Sequence, residues 1–500
     1  MVQTKGTQAS GARKAANHYI IRFVPYLSIL LPFGISLFYV HLFGVNVFFS
    51  DEWELVGYLR RFHTGTLGVV DLFEHHNEHV YFFPWIVMLL LGTLTEYNTI
   101  PLMYLVQICL LFTSIILLLA FGSTVRKTSP LMVLFVPIPL LVFSFRQYEN
   151  MLWGNQITFA FAQMFSVLTL FLLQALQTES SKRAVFFPVA LVSATIASFS
   201  AVQGLLVWPA GLLQLFLITS RGLARRLLIG TWGLVGIAEW IVYFVGYTKS
   251  RSSPPLYFVL DHPIVGLDYF LTLLGGSLFW QDAVAFSGGL LLVCLTVVGL
   301  GFLYKDREIQ NNSFWVALLS FSLLSLASIT IGRSGFPEEK VFAQALASRF
   351  TAFSILAVVS LYALLAQLAR ERKSHVSTAL FGIMLGIVLV SVPTSLSTGI
   401  VAGAATKASR EQAASILSTY ERQSDAALAV FGWNPQRVRI YARTLDRLDY
   451  SIFAERVRNG SGSRLRIPDY AQRPVSYPSG HPRALGGGGL VASTSLPART

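Results

Sequence analysis

The chain has 500 residues, of which 54% are hydrophobic and only 13% are charged, and its mean hydropathy is +0.58. This composition excludes a water-soluble protein of this length and is typical of a helical protein that crosses a membrane many times. The formal net charge is +13. Because the basic residues form short flanks between apolar runs and a basic tail, the charge indicates topology and argues against a nucleic-acid partner.

Apolar runs of about 20 residues predict about eleven transmembrane helices, and hence an all-α polytopic membrane protein. The polar and basic residues 1–23 precede the first run, which has no cleavage-site pattern, so we expect a retained first helix and a cytoplasmic N-terminus. The runs cover residues 24–49, 101–122, 131–145, 158–176, 184–198, 205–219, 227–247, 284–304, 314–331, 350–368 and 379–400.

A further apolar run at residues 81–94 is shorter than the roughly 20 residues that a straight transmembrane helix needs. If it does not cross, the short basic clusters all fall on the side of the N-terminus, which the positive-inside rule makes cytoplasmic. We therefore predict an interfacial or re-entrant helix on the outer face, with Phe82, Phe83 and Trp85 at headgroup depth. The predicted location is the plasma (inner) membrane, with the C-terminus on the outer side.

The first outer loop, residues 50–99, begins with the paired carboxylates Asp51 and Glu52 directly after an apolar run. Carboxylates at a membrane boundary are costly to desolvate, so such a pair is a functional-site hypothesis. A helix cap or a surface ion pair is the structural alternative. Apolar residues between 51 and 73 predict a short amphipathic helix that lies on the membrane plane.

The same loop continues with three histidines and a glutamate within five residues. Imidazole and carboxylate groups at this spacing could bind zinc or manganese, but they lack the HExxH order and also fit a polar loop that orients a substrate. We therefore predict no cofactor and keep a divalent metal as the alternative. The cluster consists of His75, His76, Asn77, Glu78 and His79.

The later outer loops hold most of the remaining unusual polar residues, close to the ends of apolar runs. Such residues could line a shared cavity, although helix ends also carry Trp, Asn and Arg simply as anchors and caps. Glu239 lies inside a run and is expected to bond to a neighbouring helix, with a cavity role as the alternative. The candidate site residues in these loops are Arg146, Glu149, Asn150, Trp153, Gln156, Gln203, Arg333, Lys340 and Arg349.

After the last apolar run, residues 405–455 carry apolar positions at helical spacing with a break at Asn434-Pro435, which predicts a small extracytoplasmic helical segment that packs on the loops. From residue 456 to residue 500 the Gly, Ser, Pro and Arg content rises and periodicity is lost, which predicts disorder.

Taken together, the sequence resembles the GT-C superfamily of multi-pass glycosyltransferases, which use sugars carried on polyprenyl phosphate. Protein O-mannosyltransferases and the aminoarabinose transferase acting on lipid A place an acidic residue in a long first outer loop, followed by in-plane helices. The closer resemblance is to bacterial membrane proteins of this superfamily. The shared motifs are here Asp51-Glu52-Trp53, His76-Asn77-Glu78-His79, the loop from Gln147-Tyr148-Glu149-Asn150 to Trp153-Gly154-Asn155-Gln156, and Ser348-Arg349.

The resemblance implies a GT-C-like transmembrane domain over residues 24–404 and an inverting transfer of a sugar from a polyprenyl-phosphate donor to an acceptor in the cell envelope. The chain lacks the large inserted outer domain of the mannosyltransferases, which argues against a protein acceptor. A polytopic transporter or lipid flippase is the alternative function, but such proteins typically carry repeats and polar groups near mid-membrane. A non-catalytic assembly protein would need no such polar face.

Transfer needs a general base for the acceptor hydroxyl, and Asp51 is the predicted base, with Glu52 as the alternative or as the group that positions it. Arg349 is predicted to stabilise the departing lipid phosphate, supported by Arg333, Lys340 and Arg146. The remaining candidates are predicted to bind the sugar or to orient substrate. If the hypothesis holds, Asp51, Glu78, Glu149 and Arg349 should converge in one place.

Overall fold

The structure is a computed structural model that describes residues 4–124, 129–178, 183–218, 222–249, 253–337 and 344–454. Within these residues the fold is all-α, with one two-stranded hairpin. The first half contains α1 (Thr4–Phe43), α2 (Glu52–His63), β1 (His75–His76), β2 (His79–Val80), α3 (Phe82–Leu94), α4 (Ile100–Thr124), α5 (Pro137–Val142), α6 (Tyr148–Leu152), α7 (Ile157–Thr178), α8 (Arg183–Ser198) and α9 (Val207–Ile218). The second half contains α10 (Leu223–Phe244), α11 (Phe258–Asp261), α12 (Pro263–Gly275), α13 (Asp282–Lys305), α14 (Ser313–Arg333), α15 (Thr351–Arg372), α16 (His375–Ser418), α17 (Asp425–Leu428) and α18 (Pro435–Arg447).

Among the described residues, nine helical segments are long and apolar enough to cross a membrane, so the chain is an all-α polytopic protein. They correspond to nine of the eleven predicted runs. The other two runs, 184–198 and 205–219, form apolar helices of 10–17 residues. The nine segments are Phe23–Phe43, Ile100–Thr124, Leu131–Leu152, Gly154–Gln177, Arg225–Phe244, Asp282–Lys305, Ser313–Arg333, Ser348–Arg372 and His375–Ser418.

The helices assemble around α15, whose side chains from Thr351 to Leu368 are all buried. A helix that is apolar on every face is expected at the centre of a bundle. Helix α12, which lies between the predicted runs 227–247 and 284–304, forms an antiparallel hairpin with α13. The backbones approach closely there, because a Cβ atom on Gly275 would lie 1.9 Å from the carbonyl oxygen of Ala285.

A second apolar cluster joins the first loop to the C-terminal segment. Trp53 of α2 is fully buried and makes an edge contact with Phe431 at 5.3 Å between ring centroids. Tyr58 packs against Trp85 of α3 at 4.9 Å, and Trp85 is only 1% exposed. Trp85 and the apolar face of α2 therefore contact protein, because aromatic residues of three separate segments bury one another here.

Two predicted boundaries fall inside helices. Helix α1 begins at Thr4 and ends at Phe43, so residue 23 is not a break, and residues 44–49 of the first apolar run are not helical. Helix α16 runs without interruption past residue 405 to Ser418. The predicted break at Asn434-Pro435 is confirmed as a helix start, where the Asn434 side chain accepts a hydrogen bond from the backbone N–H of Gln436 at 3.0 Å. The predicted disordered tail, 456–500, lies outside the described residues.

Candidate functional site

The hairpin after α2 sets the geometry of the histidine cluster. His76 pairs with His79 across the two antiparallel strands, so their side chains share one face, and Asn77 and Glu78 form the turn. Asn77 has a φ of +55°, a left-handed conformation that asparagine tolerates. The hydroxyl of Tyr243 braces the turn, accepting from the N–H of Val80 at 3.0 Å and donating to the carbonyl of Glu78 at 3.1 Å.

Each of the three imidazoles in this cluster has different hydrogen-bond or ion-pair partners. His75 donates from Nε2 to the carbonyl oxygen of Tyr243 at 2.7 Å. His76 lies between Glu54 and Asp51, whereas Nδ1 of His79 accepts from the backbone N–H of Val202 at 3.2 Å. No group of three His, Cys, Asp or Glu side chains with metal-binding geometry occurs in the part of the chain that the structure describes.

Three cations, each paired with its own glutamate, surround Asp51. Nδ1 of His76 bonds to Oε2 of Glu54, and its Nε2 lies 3.6 Å from Oδ1 of Asp51. Arg333 at the end of α14 donates from Nη2 to Oε1 of Glu78 at 2.5 Å. Arg349, directly before α15, places Nη1 3.5 Å from Oε1 of Glu149 and donates its backbone N–H to Oε2 at 2.9 Å. We call these six residues with Asp51 the ion-pair ring.

The ion-pair ring controls the charge of Asp51. Burial alone would raise the pKa of this carboxyl, but His76, Arg349 and Arg333 outweigh it and lower the pKa to about 2. Asp51 is therefore ionised at every physiological pH. The side chains of Asp51, Glu78, Glu149, Arg333 and Arg349 are between 26% and 39% exposed, so the ring is partly enclosed but open to solvent.

The two strand-paired histidines carry different charges. Burial lowers the pKa of His79 to about 4, which leaves it neutral, in agreement with the hydrogen bond that its Nδ1 accepts. Burial also acts to lower the pKa of His76, but the carboxylates of Glu54 and Asp51 outweigh it and raise this pKa well above its ordinary value. The two carboxylates thus favour the imidazolium form of His76.

Glu52 has a different environment from Asp51. It is 3% exposed, and its two carboxylate oxygens accept backbone hydrogen bonds from Asn155 at 3.1 Å and Phe49 at 3.0 Å. Burial raises its pKa to about 7, against the opposing effects of Arg410 and of the two N–H donors. Because both oxygens are engaged, Glu52 ties the first loop to the loop of Gly154 and Asn155.

The loop from Arg146 to Gln156 supplies buried polar groups beside the ion-pair ring. Arg146 is 2% exposed, donates to the carbonyl oxygen of Leu346 at 2.6 Å and stacks over Trp280 at 4.4 Å. Asn150 donates to the carbonyl oxygen of Arg349 at 3.1 Å. Within the described residues, five buried atoms of predicted site residues have no hydrogen-bond partner, which makes them candidates for ligand contacts. These atoms are Arg146 Nε, Asn150 Oδ1, Trp153 Nε1, Gln156 Oε1 and Gln203 Oε1.

The structure brings Asp51, His76, Glu78, His79, Glu149, Arg333 and Arg349 into one cluster, while Lys340 lies outside the described residues. Two charged residues near these groups, Glu54 and Arg410, were not predicted. The guanidinium of Arg410 lies 3.2 Å from the ring centroid of Phe49. Glu54 could have been found, since it is one helical turn from Asp51.

Glu239 accepts hydrogen bonds from Thr195 and from Trp208, so the predicted bond to neighbouring helices is confirmed.

No family model and no solved structure matches the chain. An uncharacterized protein of Archaeoglobus fulgidus is 26% identical over 208 residues, which is 39% of this chain and 52% of that protein. The similarity therefore spans about half of the length of this relative.

Proposed function

We propose that the chain is a membrane glycosyltransferase of the GT-C type, which moves a sugar from a polyprenyl-phosphate donor to an extracytoplasmic acceptor. The observation that carries the proposal is Asp51, an ionised and accessible carboxylate that three loops surround with paired cations at one end of an apolar helical bundle. Charged groups at the edge of an apolar bundle are costly to maintain and so support a role in chemistry.

In the proposed reaction the acceptor hydroxyl attacks the anomeric carbon, its proton passes to Asp51, and the bond from the anomeric carbon to the phosphate oxygen breaks. The electron pair of that bond leaves with the lipid phosphate. A carboxylate with a pKa of about 2 is a weak base, which suits a transition state in which the sugar already has oxocarbenium character and the hydroxyl proton has become acidic.

The departing phosphate needs cations that are fixed in place before the reaction. Arg349 and Arg333 meet this requirement, because Glu149 and Glu78 hold the two guanidinium groups while leaving each more than a quarter exposed. A guanidinium that keeps free N–H donors can bind phosphate oxygens in a bidentate manner. We assign Arg349 the first contact with the phosphate, and Arg333 a supporting one.

Sugar binding fits the unpartnered polar atoms of Asn150, Trp153 and Gln156, which lie in the loop that Glu52 anchors. Burying a donor or acceptor without a partner costs about 1–3 kcal/mol, and sugar hydroxyl groups would recover that free energy.

The decisive experiment measures bond cleavage in proteoliposomes that contain the purified full-length chain. The probes are undecaprenyl-phosphate donors that carry labelled glucose, mannose or arabinose, and the readout is release of undecaprenyl phosphate. We expect Asp51→Asn to reduce release at least about 100-fold. The matched control is Asp71→Asn, an acid in the same loop that pairs with Arg61 at 3.4 Å, and it should leave the rate unchanged.

Equal rates for wild type and Asp51→Asn would remove Asp51 as the base. Movement of the labelled donor across the bilayer without any cleavage would instead support the transporter or flippase alternative. That alternative is less favoured because the charged residues collect at one end of the bundle, whereas transporters typically place polar groups near mid-membrane.

A further inference from the structure

Glu54 is the member of the ion-pair ring that the proposed transfer does not use. It lies in the first turn of α2, three residues after the N-cap residue Asp51, so the two carboxylates project from the same side of the helix. Its Oε2 bonds to Nδ1 of His76, and its side chain is 28% exposed. Within the ion-pair ring, the hydrogen bond of Glu54 therefore goes to the imidazole of His76.

Both nitrogens of His76 face carboxylate oxygens, Nδ1 that of Glu54 and Nε2 that of Asp51 at 3.6 Å. An imidazole can donate from both nitrogens only when it is protonated. His79 differs from His76, because its Nδ1 accepts a hydrogen bond from a backbone N–H, and only its Nε2 faces a carboxylate oxygen, that of Glu78 at 3.7 Å. The titratable groups that act on His76 are Asp51 and Glu54 of the first loop and the neutral His79 of the hairpin, and Arg333 of α14 and Arg349 before α15 act in turn on Asp51.

We propose that Glu54 is a positioning residue that keeps His76 protonated, and that the resulting imidazolium holds the Asp51 carboxylate where it can accept the proton of the substrate. This inference rests on the proposed function. The imidazolium neither gives nor takes a proton during transfer, and the proton of the acceptor ends on Asp51.

The competition for Asp51 explains why the charge of His76 matters. Arg333 and Arg349 also attract this carboxylate, but each already has its own glutamate. If His76 became neutral, the two guanidinium groups would be the only full positive charges of the ring near Asp51. The carboxylate would then turn toward the arginines, where it blocks the phosphate subsite and cannot reach the acceptor hydroxyl.

The test compares Glu54→Gln with Glu74→Gln, which makes the same change in the same loop at a residue paired with Arg61. The protonation of each histidine is read from the pH dependence of hydrogen exchange at the imidazole C2 atom, followed by mass spectrometry on the full-length protein. In the wild type we expect the midpoint of His76 above the ordinary value of about 6.5. In Glu54→Gln it should fall by about one to three pH units, and in Glu74→Gln it should stay unchanged.

The same variants are assayed for donor cleavage between pH 6 and pH 9. The high-pH limb of kcat/KM should move down by the same interval as the His76 midpoint in Glu54→Gln, and Glu54→Asp, which keeps the charge, should restore most of the wild-type profile. A fold defect alone would lower the rate at every pH without moving the limb.

Two results would overturn the proposal: a His76 midpoint that Glu54→Gln leaves in place, or a shifted midpoint with an unchanged pH profile. The outcome is separable from the proposed function. If the wild type cleaves no donor, the glycosyltransferase assignment and the positioning role fail together, whereas a high His76 midpoint that depends on Glu54 would still establish the charged pair.

Discussion

Replacement of Glu52 by glutamine gives the sharpest test of the electrostatics around the site. Burial raises the pKa of Glu52 from an ordinary 4.5 to about 7. Between these two values the folded protein holds a proton on Glu52 that the unfolded chain has already lost. The contribution of Glu52 to the free energy of unfolding is therefore largest below pH 4.5 and falls as the pH rises to 7.

The size of the effect follows from the pKa difference. At about 1.36 kcal/mol per pKa unit, the interval from 4.5 to 7 corresponds to about 3 kcal/mol of stability lost on raising the pH. Glutamine cannot ionise, so Glu52→Gln should gain about this amount relative to the wild type between pH 4.5 and pH 7.5. At any one pH the variant also has an amide N–H group that faces a backbone donor, which costs about 1–3 kcal/mol.

Unfolding can be followed through the two cysteines. Cys109 is buried in the cluster that contains Trp53, whereas Cys294 is exposed. In a Cys294→Ser background, thiol labelling of Cys109 in detergent reports loss of this packing as a function of temperature and pH. At each pH the free energy of unfolding of Glu52→Gln is compared with that of the wild type. The contributions of all other titrating groups are the same in both proteins and cancel in the difference.

A difference that does not change with pH would refute the reasoning, since it would mean that the two backbone donors and Arg410 offset burial completely. Donor cleavage by the same variant separates the two carboxylates as candidate bases. We expect Glu52→Gln to retain cleavage at pH 7 in its folded fraction, because Asp51 is the accessible carboxylate. Loss of cleavage in a folded Glu52→Gln protein would transfer the role of base to Glu52.

Two further substitutions test the packing and the phosphate subsite. Trp53→Ala should reduce the stability measured by Cys109 labelling by about 3–5 kcal/mol, whereas Phe62→Ala, at an exposed position of the same helix, should change it by less than about 0.5 kcal/mol. Arg349→Ala should lower kcat/KM for donor cleavage about 100-fold to 1000-fold. The control Arg372→Ala removes a guanidinium at the other end of α15, where it pairs with Asp306, and equal losses in the two variants would contradict the assignment of Arg349.

Several features of the site were predictable from sequence because they depend on local patterns. The apolar runs mark the helices, since hydropathy is a property of about 20 consecutive residues, and Asp51 stands out because a carboxylate directly follows such a run. The short length of the run at 81–94 likewise predicted a helix of non-spanning length, which is observed as Phe82–Leu94.

The tertiary structure alone decided which charges meet. The pairs of the ion-pair ring join residues that are 22, 255 and 200 positions apart, from Glu54–His76 to Glu78–Arg333 and Glu149–Arg349. Loop position and short motifs predict a substrate role for Glu149 and Glu78, and the fold gives these two residues cationic partners. Hydropathy indicates which segments form apolar helices, but the charge of a histidine or a carboxylate depends on which helix ends pack together, and that depends on contacts between distant segments.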